Sequence, residues 1–347
     1  MTSETASSNS AQFTSIHHAL LAWYAEHGRD LPWRHTSDPY HILVAEIMLQ
    51  QTQVERVIPK YREFLDVYPT IKMLAQAPRA EIIRRWSPLG YNRRAVRLHE
   101  IAQQVVEQHG GRHACPVGRF PNTVAEMLTL KGVGAYTAGA IACFAFRQPV
   151  AFLDTNIRRV LGRALAGVPY PAPEDDKRIM PLAEGALPTG PAYRTGRQAG
   201  LPDATTSQAA YQWHQALMDL GATVCARQRP RCLLCPLQEH CKARSALSDE
   251  TASVGSRMVA EKPPPYRVQP KFAGSTRFYR GRIVAALREL SQGETLNLAE
   301  LGSRVKPDFT ATEAGWLAGL VRALATDGLV EVMDDAEAAE TWRVRLP

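Results

Sequence analysis

No stretch of this 347-residue sequence is long and apolar enough to cross a bilayer as a helix, which needs about 20 such residues. The first fifteen residues, MTSETASSNSAQFTS, carry a single charge and lack both the basic start and the apolar run of a signal peptide. The expectation is a disordered tail over 1–12 and a cytoplasmic protein (nucleoid-associated in a bacterium) without a membrane partner. Cysteine is scarce, six residues in all, and four of them fall between 225 and 241. So few thiols, so tightly grouped in a cytosolic chain, argue against a disulfide framework and for a metal. No excess of acid is present either. With 41 Lys and Arg against 34 Asp and Glu, the net charge is +7, which favours polyanionic partners, nucleic acid first.

Convincing strand-like alternation is absent from Phe13 to about Phe146, and no internal repeat is found. Apolar residues instead recur at three and four, predicting helices near 15–27, 39–50, 54–68, 70–76, 79–87, 91–108, 121–129 and 135–146. Two more are expected, one from Thr155 and one over 207–224. The main body is therefore expected to be all-α. Residues 169–208 hold seven prolines and four glycines, so part of that stretch reads as a long loop. Residues 246–275 read as a linker. Beyond it, three helical patterns and a closing hairpin over LVEVMDD and TWRVRLP give the element order of a winged helix over 276–347.

Four features carry chemistry. In ILVAEIMLQQ (42–51) a single acid, Glu46, interrupts an apolar helix, and burying an uncompensated carboxylate costs several kcal/mol unless it holds a proton. Cys225, Cys232, Cys235 and Cys241 follow a C-x6-C-x2-C-x5-C spacing that fits either a tetrahedral zinc or a cubane iron–sulfur cluster. Arg227, Arg229, Arg231, Lys242 and Arg244 surround them, as a solvated basic face or as a phosphate-meeting loop. Gly132 and Gly134 in LKGVGAYTAGA join two helices by a hairpin whose backbone can approach a phosphate, or make only a tight turn. Asp154 in PVAFLDTNIRRVL stands where a helix N-cap belongs, and Arg158, Arg159 and Arg163 follow it facing phosphate or solvent.

LPWR (31–34), EIMLQQTQV (46–54), LGY (89–91), GVGAYTAGAI (132–141), LDTNIRRVL (153–161) and ALMDLGATVC (216–225) occur here in a fixed order. Together with the cysteine spacing, this set resembles the helix–hairpin–helix–Gly/Pro–Asp superfamily of DNA base-excision glycosylases. Within it the chain is most similar to the adenine DNA glycosylases, the MutY family, over roughly residues 13–245. The resemblance implies a six-helix lobe over 39–150 with its hairpin at 130–134, and a cluster lobe built from 13–38 with 151–245. It also implies a [4Fe-4S] cluster on the four cysteines. The implied substrate is double-stranded DNA with adenine mispaired with 8-oxoguanine or guanine, the implied reaction hydrolysis of the N-glycosidic bond. A monomer is expected.

Carried onto this sequence, the resemblance makes Glu46 the acid that protonates the adenine ring. Asp154 would stabilise the sugar cation or bond to it transiently. Tyr136 would line the catalytic pocket and Asn156 would hydrogen-bond near the aspartate. Gln51 and Tyr91 would enter the DNA helix beside the lesion, flanked by Thr52 and Leu89, and Gly132 and Gly134 would meet the backbone. Relatives with lyase activity, such as endonuclease III, carry a lysine where Tyr136 stands, so a monofunctional glycosylase is expected. The likeness stops at the C-terminus. Bacterial members usually carry a Nudix-related domain, and 276–347 is too short and too poor in strands to be one. Two alternatives stay open, a thymine or uracil mismatch glycosylase and a non-catalytic iron–sulfur DNA-binding regulator.

Overall fold

The computed structural model describes residues 4–109, 120–188, 206–247, 271–333 and 342–347. In chain order its helices are α1 (Glu4–His27), α2 (Pro39–Leu49), α3 (Val54–Val67), α4 (Ile71–Gln76), α5 (Arg79–Arg85), α6 (Arg93–His109), α7 (Val124–Leu128) and α8 (Ala135–Phe144). Then come α9 (Thr155–Ala164), α10 (Asp176–Gly185), α11 (Thr206–Thr223), α12 (Thr276–Arg288), α13 (Leu298–Val305) and α14 (Ala314–Thr326). Three short strands, β1 (Leu296–Asn297), β2 (Glu331–Met333) and β3 (Arg343–Arg345), complete the described chain. Helix starts follow local chemistry. Thr70 caps α4 by accepting from Met73 N–H, and Asn297 and Glu300 form a reciprocal capping box on α13.

Contacts divide the chain into two units, the first comprising Met1–Ile42, Asn122–Leu128 and Gly134–Tyr266. In it α11 packs against α1, α8 and α9, and α10 packs against α9. Ile16, Leu20, Ile157, Leu161, Trp213, Leu217 and Leu220 are all nearly solvent-free, as the three-and-four spacing requires. A buried ion pair tags this core. Asp219, 0 % exposed, accepts from Arg34 Nη1 and Nη2 at 2.8 Å each and from Arg29 Nε at 2.7 Å.

The second unit comprises Leu43–Pro121, Thr129–Val133 and Arg267–Pro347. Here α6 packs against α4 and α5, and Phe64 of α3 meets Trp86 edge-on at 6.0 Å. In the C-terminal part α12, α13 and α14 pack on one another, and the strands form an antiparallel sheet in the order β1-β3-β2. Val344 is opposite both Leu296 and Val332 in the register. Helix, strand, two helices and two strands is the winged-helix order, with a short strand, β1, that the sequence reading did not anticipate. Its core continues into α5 and α6: Ile83 and Val96 belong to the same buried cluster as Leu287, Leu324, Leu329 and Trp342.

The helical reading of the main body holds, with two differences. Helix α1 begins at Glu4, so it takes in most of the stretch expected as a tail. The proline-rich region contains a one-turn helix (Pro173–Asp175) and α10, which holds Pro181 in its middle. Residues 189–205 of that region, 248–270 of the expected linker and 334–341 between β2 and β3 lie outside the described residues.

Candidate active site and cysteine cavity

Glu46 lies in α2 within the second unit and is 5 % exposed, between Leu43, Val44, Ile47 and Met48, which are fully buried. An acid on the apolar face of a helix is retained only where it has partners or keeps its proton.

Immediately after α2 the chain turns at Gln51, whose φ is 55°, and Tyr91 in the Leu89-Gly90-Tyr91 turn has a φ of 45°. Both are non-glycine residues in the left-handed region, a strained conformation that persists only where the surroundings enforce it. Arg94 does the enforcing. Its guanidinium is buried and donates to the carbonyls of Ile47 (3.1 Å), Met48 (2.8 Å) and Gln50 (2.5 Å), and to Thr52 Oγ1 (3.0 Å). On its other side it reaches the carbonyls of Leu89 (3.5 Å) and Gly90 (3.2 Å), and the Trp86 indole N–H also donates to Gly90 at 3.0 Å. One side chain thus ties the two turns together. Gln51 is exposed and Tyr91 is 51 % exposed, whereas Leu89 is 3 % exposed and shapes its turn from within. Arg94 was missed from sequence, although a signal existed: it lies on the same helical stripe as the buried Leu98, Ile101 and Val105.

The hairpin between α7 and α8 turns at Gly132, whose φ is 102° and whose position has no room for a Cβ, 2.8 Å from Arg97 Cγ. Gln104 clasps it, accepting from Lys131 N–H at 2.8 Å and donating to the Lys131 carbonyl at 3.3 Å. Gly134 is the N-cap of α8, makes no side-chain cap and has open space where a Cβ would be. Exposed N–H groups at such a helix start suit a phosphate oxygen. Tyr136, the second residue of α8, meets Phe152 edge-on at 5.8 Å, and Phe152 stacks on His214 at 4.2 Å.

Asp154, in the first unit, caps α9 as its position foretold: Oδ1 accepts from Ile157 N–H at 2.6 Å and Oδ2 from Asn156 Nδ2 at 3.0 Å. Burial pushes its carboxyl above the ordinary value, and the bonds from Ile157 and Asn156 only partly oppose this. The three arginines of α9 do not face phosphate or bulk solvent as either reading had it. Arg158 pairs with Asp176 at 2.5 Å. Arg159 donates to Asn156 Oδ1 (2.7 Å), Gly221 O (2.6 Å) and Cys225 O (2.7 Å). Arg163, 1 % exposed, donates to Cys225 Sγ at 3.3 Å and to the carbonyls of Pro169, Ala226 and Arg227. Arg159 and Arg163 bind the cysteine loop to α9.

Cys225, Cys232, Cys235 and Cys241 are all free thiols and line a single cavity, together with Arg163 and Leu247 among others. Among the described residues no three His, Cys, Asp or Glu side chains gather as ligands of one metal ion would. Four free thiols lining one cavity are a donor set that suits either a zinc ion or an iron–sulfur cluster. Arg227, Arg229, Arg231 and Lys242 of this loop are exposed, while Arg244 pairs with Glu239 at 3.0 Å.

The sequence matches the family model described as HhH-GPD superfamily base excision DNA repair protein over residues 44–180. It is 37% identical to an adenine DNA glycosylase of Mycolicibacterium smegmatis, over 92% of this chain and 94% of that protein. Among solved structures it is similar to a thermostable thymine-DNA glycosylase (TM-score 0.55, 29% identity), covering 68% of this chain and 98% of that one. A non-covalent endonuclease III–DNA complex shares the fold (TM-score 0.52, 18% identity), covering 70% of this chain and 99% of that one. Motif order, fold and full-length similarity agree, and the chain belongs to the adenine DNA glycosylase family of the HhH-GPD superfamily of base excision DNA repair proteins.

Proposed function

We propose that this protein removes adenine from DNA in base excision repair, acting as a monomer on duplexes in which adenine is mispaired with 8-oxoguanine or guanine. The observation that carries the reading is a chain holding both carboxylates in the environments the chemistry needs. Glu46 is buried in an apolar helix, and Asp154 is fixed by two hydrogen bonds at the head of α9. A base within the stack is out of reach, so the adenine is first extruded. Gln51 and Tyr91, on the two turns tied by Arg94, fill and wedge the vacated space, with Thr52 and Leu89 supporting them.

Glu46 then gives a proton to N7 of the ring, so that the C1′–N9 bond breaks with its electron pair leaving on a stabilised base. Asp154, ionised, faces the positive charge that develops on the sugar, and Asn156 keeps its carboxylate oriented. Water adds to C1′ and loses a proton, completing hydrolysis; two carboxylates with divergent duties are the general logic of glycoside hydrolysis. Tyr136 lines the base pocket and offers no amine for a Schiff base, so the product is an abasic site with an unbroken strand. Gly132 and Gly134 hold the backbone without reading sequence.

Cys225, Cys232, Cys235 and Cys241 would hold a [4Fe-4S] cluster, which supplies a covalent clasp on the loop and takes no part in bond breaking. Arg227, Arg229, Arg231 and Lys242 are then presented to phosphates. The test uses protein in excess over duplexes with A opposite 8-oxoguanine, A opposite guanine, T opposite guanine and U opposite guanine, each with and without hot alkali. Breakage of the adenine duplexes alone, only after alkali, is expected. Glu46→Gln is expected to slow it by on the order of 10²–10⁴-fold. Release of thymine, the base named for the similar solved structure, would overturn the substrate assignment.

A further inference from the structure

In many winged helices the third helix lies in the major groove and reads bases with arginine, asparagine or glutamine. The exposed face of α14 is poorly equipped for that. It presents Gly315, Trp316, Gly319 and Ala323, and its one arginine there, Arg322, lies 4.6 Å over the Trp342 ring.

The opposite end of the module is differently built. Arg288, the last residue of α12, donates from Nε to the Ile83 carbonyl at 3.0 Å and from Nη2 to Asn92 Oδ1 at 2.8 Å. Arg84 returns a bond to the Leu290 carbonyl at 3.1 Å, and Asp327 takes both Arg280 (2.5 Å) and Arg93 (3.2 Å). Beneath these polar ties Ile83 and Val96 share the module's buried core. Asn92 follows Tyr91 directly and opens α6, its carbonyl accepting from Ala95 N–H at 3.0 Å. The module therefore holds Asn92, the residue that directly follows the Leu89–Tyr91 turn, while Arg94 bonds the turn's own carbonyls.

We propose that the C-terminal module is a brace for this turn, with Arg288 as a positioning residue that holds Asn92 and through it the wedge residue Tyr91. The inference rests on the role given to Tyr91 above. A left-handed, non-glycine residue at the tip of a turn relaxes when its supports are removed. The module thus serves the extrusion step, and its contribution is felt only where a base must be driven out of a pair.

The test measures single-turnover release of adenine by Arg288→Ala, Asn92→Ala and the double variant, on two duplexes. One holds adenine opposite 8-oxoguanine, the other adenine opposite an abasic site, which is already unpaired and costs less to extrude. Melting temperature and circular dichroism are recorded for each variant. The expected result is about a tenfold slowing by either single change on the paired duplex, the loss of one charge-assisted hydrogen bond. The double variant is expected to be no slower than the singles, since both remove one interaction. On the abasic-opposed duplex all variants should stay within about twofold of wild type. Unchanged rates on the paired duplex, or equal slowing on both duplexes, would overturn the brace. Wild-type protein that releases no adenine from either duplex overturns the functional reading, and the inference falls with it.

Discussion

Asn156 donates through Nδ2 to Asp154 Oδ2 at 3.0 Å, and its side-chain Oδ1 accepts from Arg159 Nη2 at 2.7 Å. The carboxylate at the head of α9 is thereby linked to the cysteine loop, because Arg159 also donates to Cys225 O. The catalytic role proposed for Asp154 is compatible with its capping: the cap fixes one oxygen at the helix start, and the other is held by a side chain.

Asp154→Asn keeps a capping oxygen and removes a charge that burial disfavours. Because the folded-state carboxyl is raised, ionising it costs stability as pH rises from the unfolded value through the folded one. The variant should therefore melt at or above the wild-type temperature at neutral pH, the difference vanishing toward acid. Base release should fall by on the order of 10²-fold or more. Melting scans from pH 3 to 8 and single-turnover release check both; a variant less stable at neutral pH than in acid, relative to wild type, contradicts the assignment.

Gly221 leaves room for Asn156, since a Cβ there would lie 2.6 Å from Asn156 Cβ and 3.1 Å from its Cα. Gly221→Ala should push Asn156 off Asp154 and cost about 1–3 kcal/mol in stability. Slower adenine release at saturating protein, with DNA affinity little changed, is the expected kinetic signature.

Asp219→Asn tests the buried ion pair. Burial opposes ionisation of Asp219, but Arg34 and then Arg29 outweigh it and hold the carboxyl below the usual range. Removing the charge leaves Arg34, 7% exposed at its side chain, uncompensated and should cost about 3–5 kcal/mol at neutral pH. A depressed carboxylate contributes stability above its unfolded value of 3.8 that is lost as pH falls through the folded value. The gap between wild type and variant should close in acid, read by urea unfolding at pH 7 and pH 3.

Cys235→Ser removes one corner of the cavity. The expected outcome is loss of visible cluster absorbance, with weaker and less salt-dependent DNA binding, because the exposed basic residues of the loop lose their fixed positions. Unaltered binding would place phosphate contact elsewhere.

Most of the helices are legible in the sequence, since three-and-four spacing and local caps such as Thr70 and the Asn297/Glu300 box are written within a few residues. It also exposed Glu46, because an acid in an apolar run is conspicuous without coordinates, and Asp154 as a cap, because capping is local. The remaining relationships join residues far apart in the chain and emerge only on folding. LPWR and ALMDLGATVC were legible as motifs, but their reason, Arg34 bound to Asp219, joins positions 185 residues apart. Arg159 and Arg163 looked like phosphate or solvent residues because charge on a helix gives no direction; their carbonyl partners lie in the cysteine loop. The bond from Arg288 to Asn92 spans 196 residues and could not be read from a terminal segment that looked like a separate winged helix. Hydrophobic period and capping act within a turn or two, whereas buried hydrogen bonds are satisfied by whichever groups the packed core brings within about 3 Å.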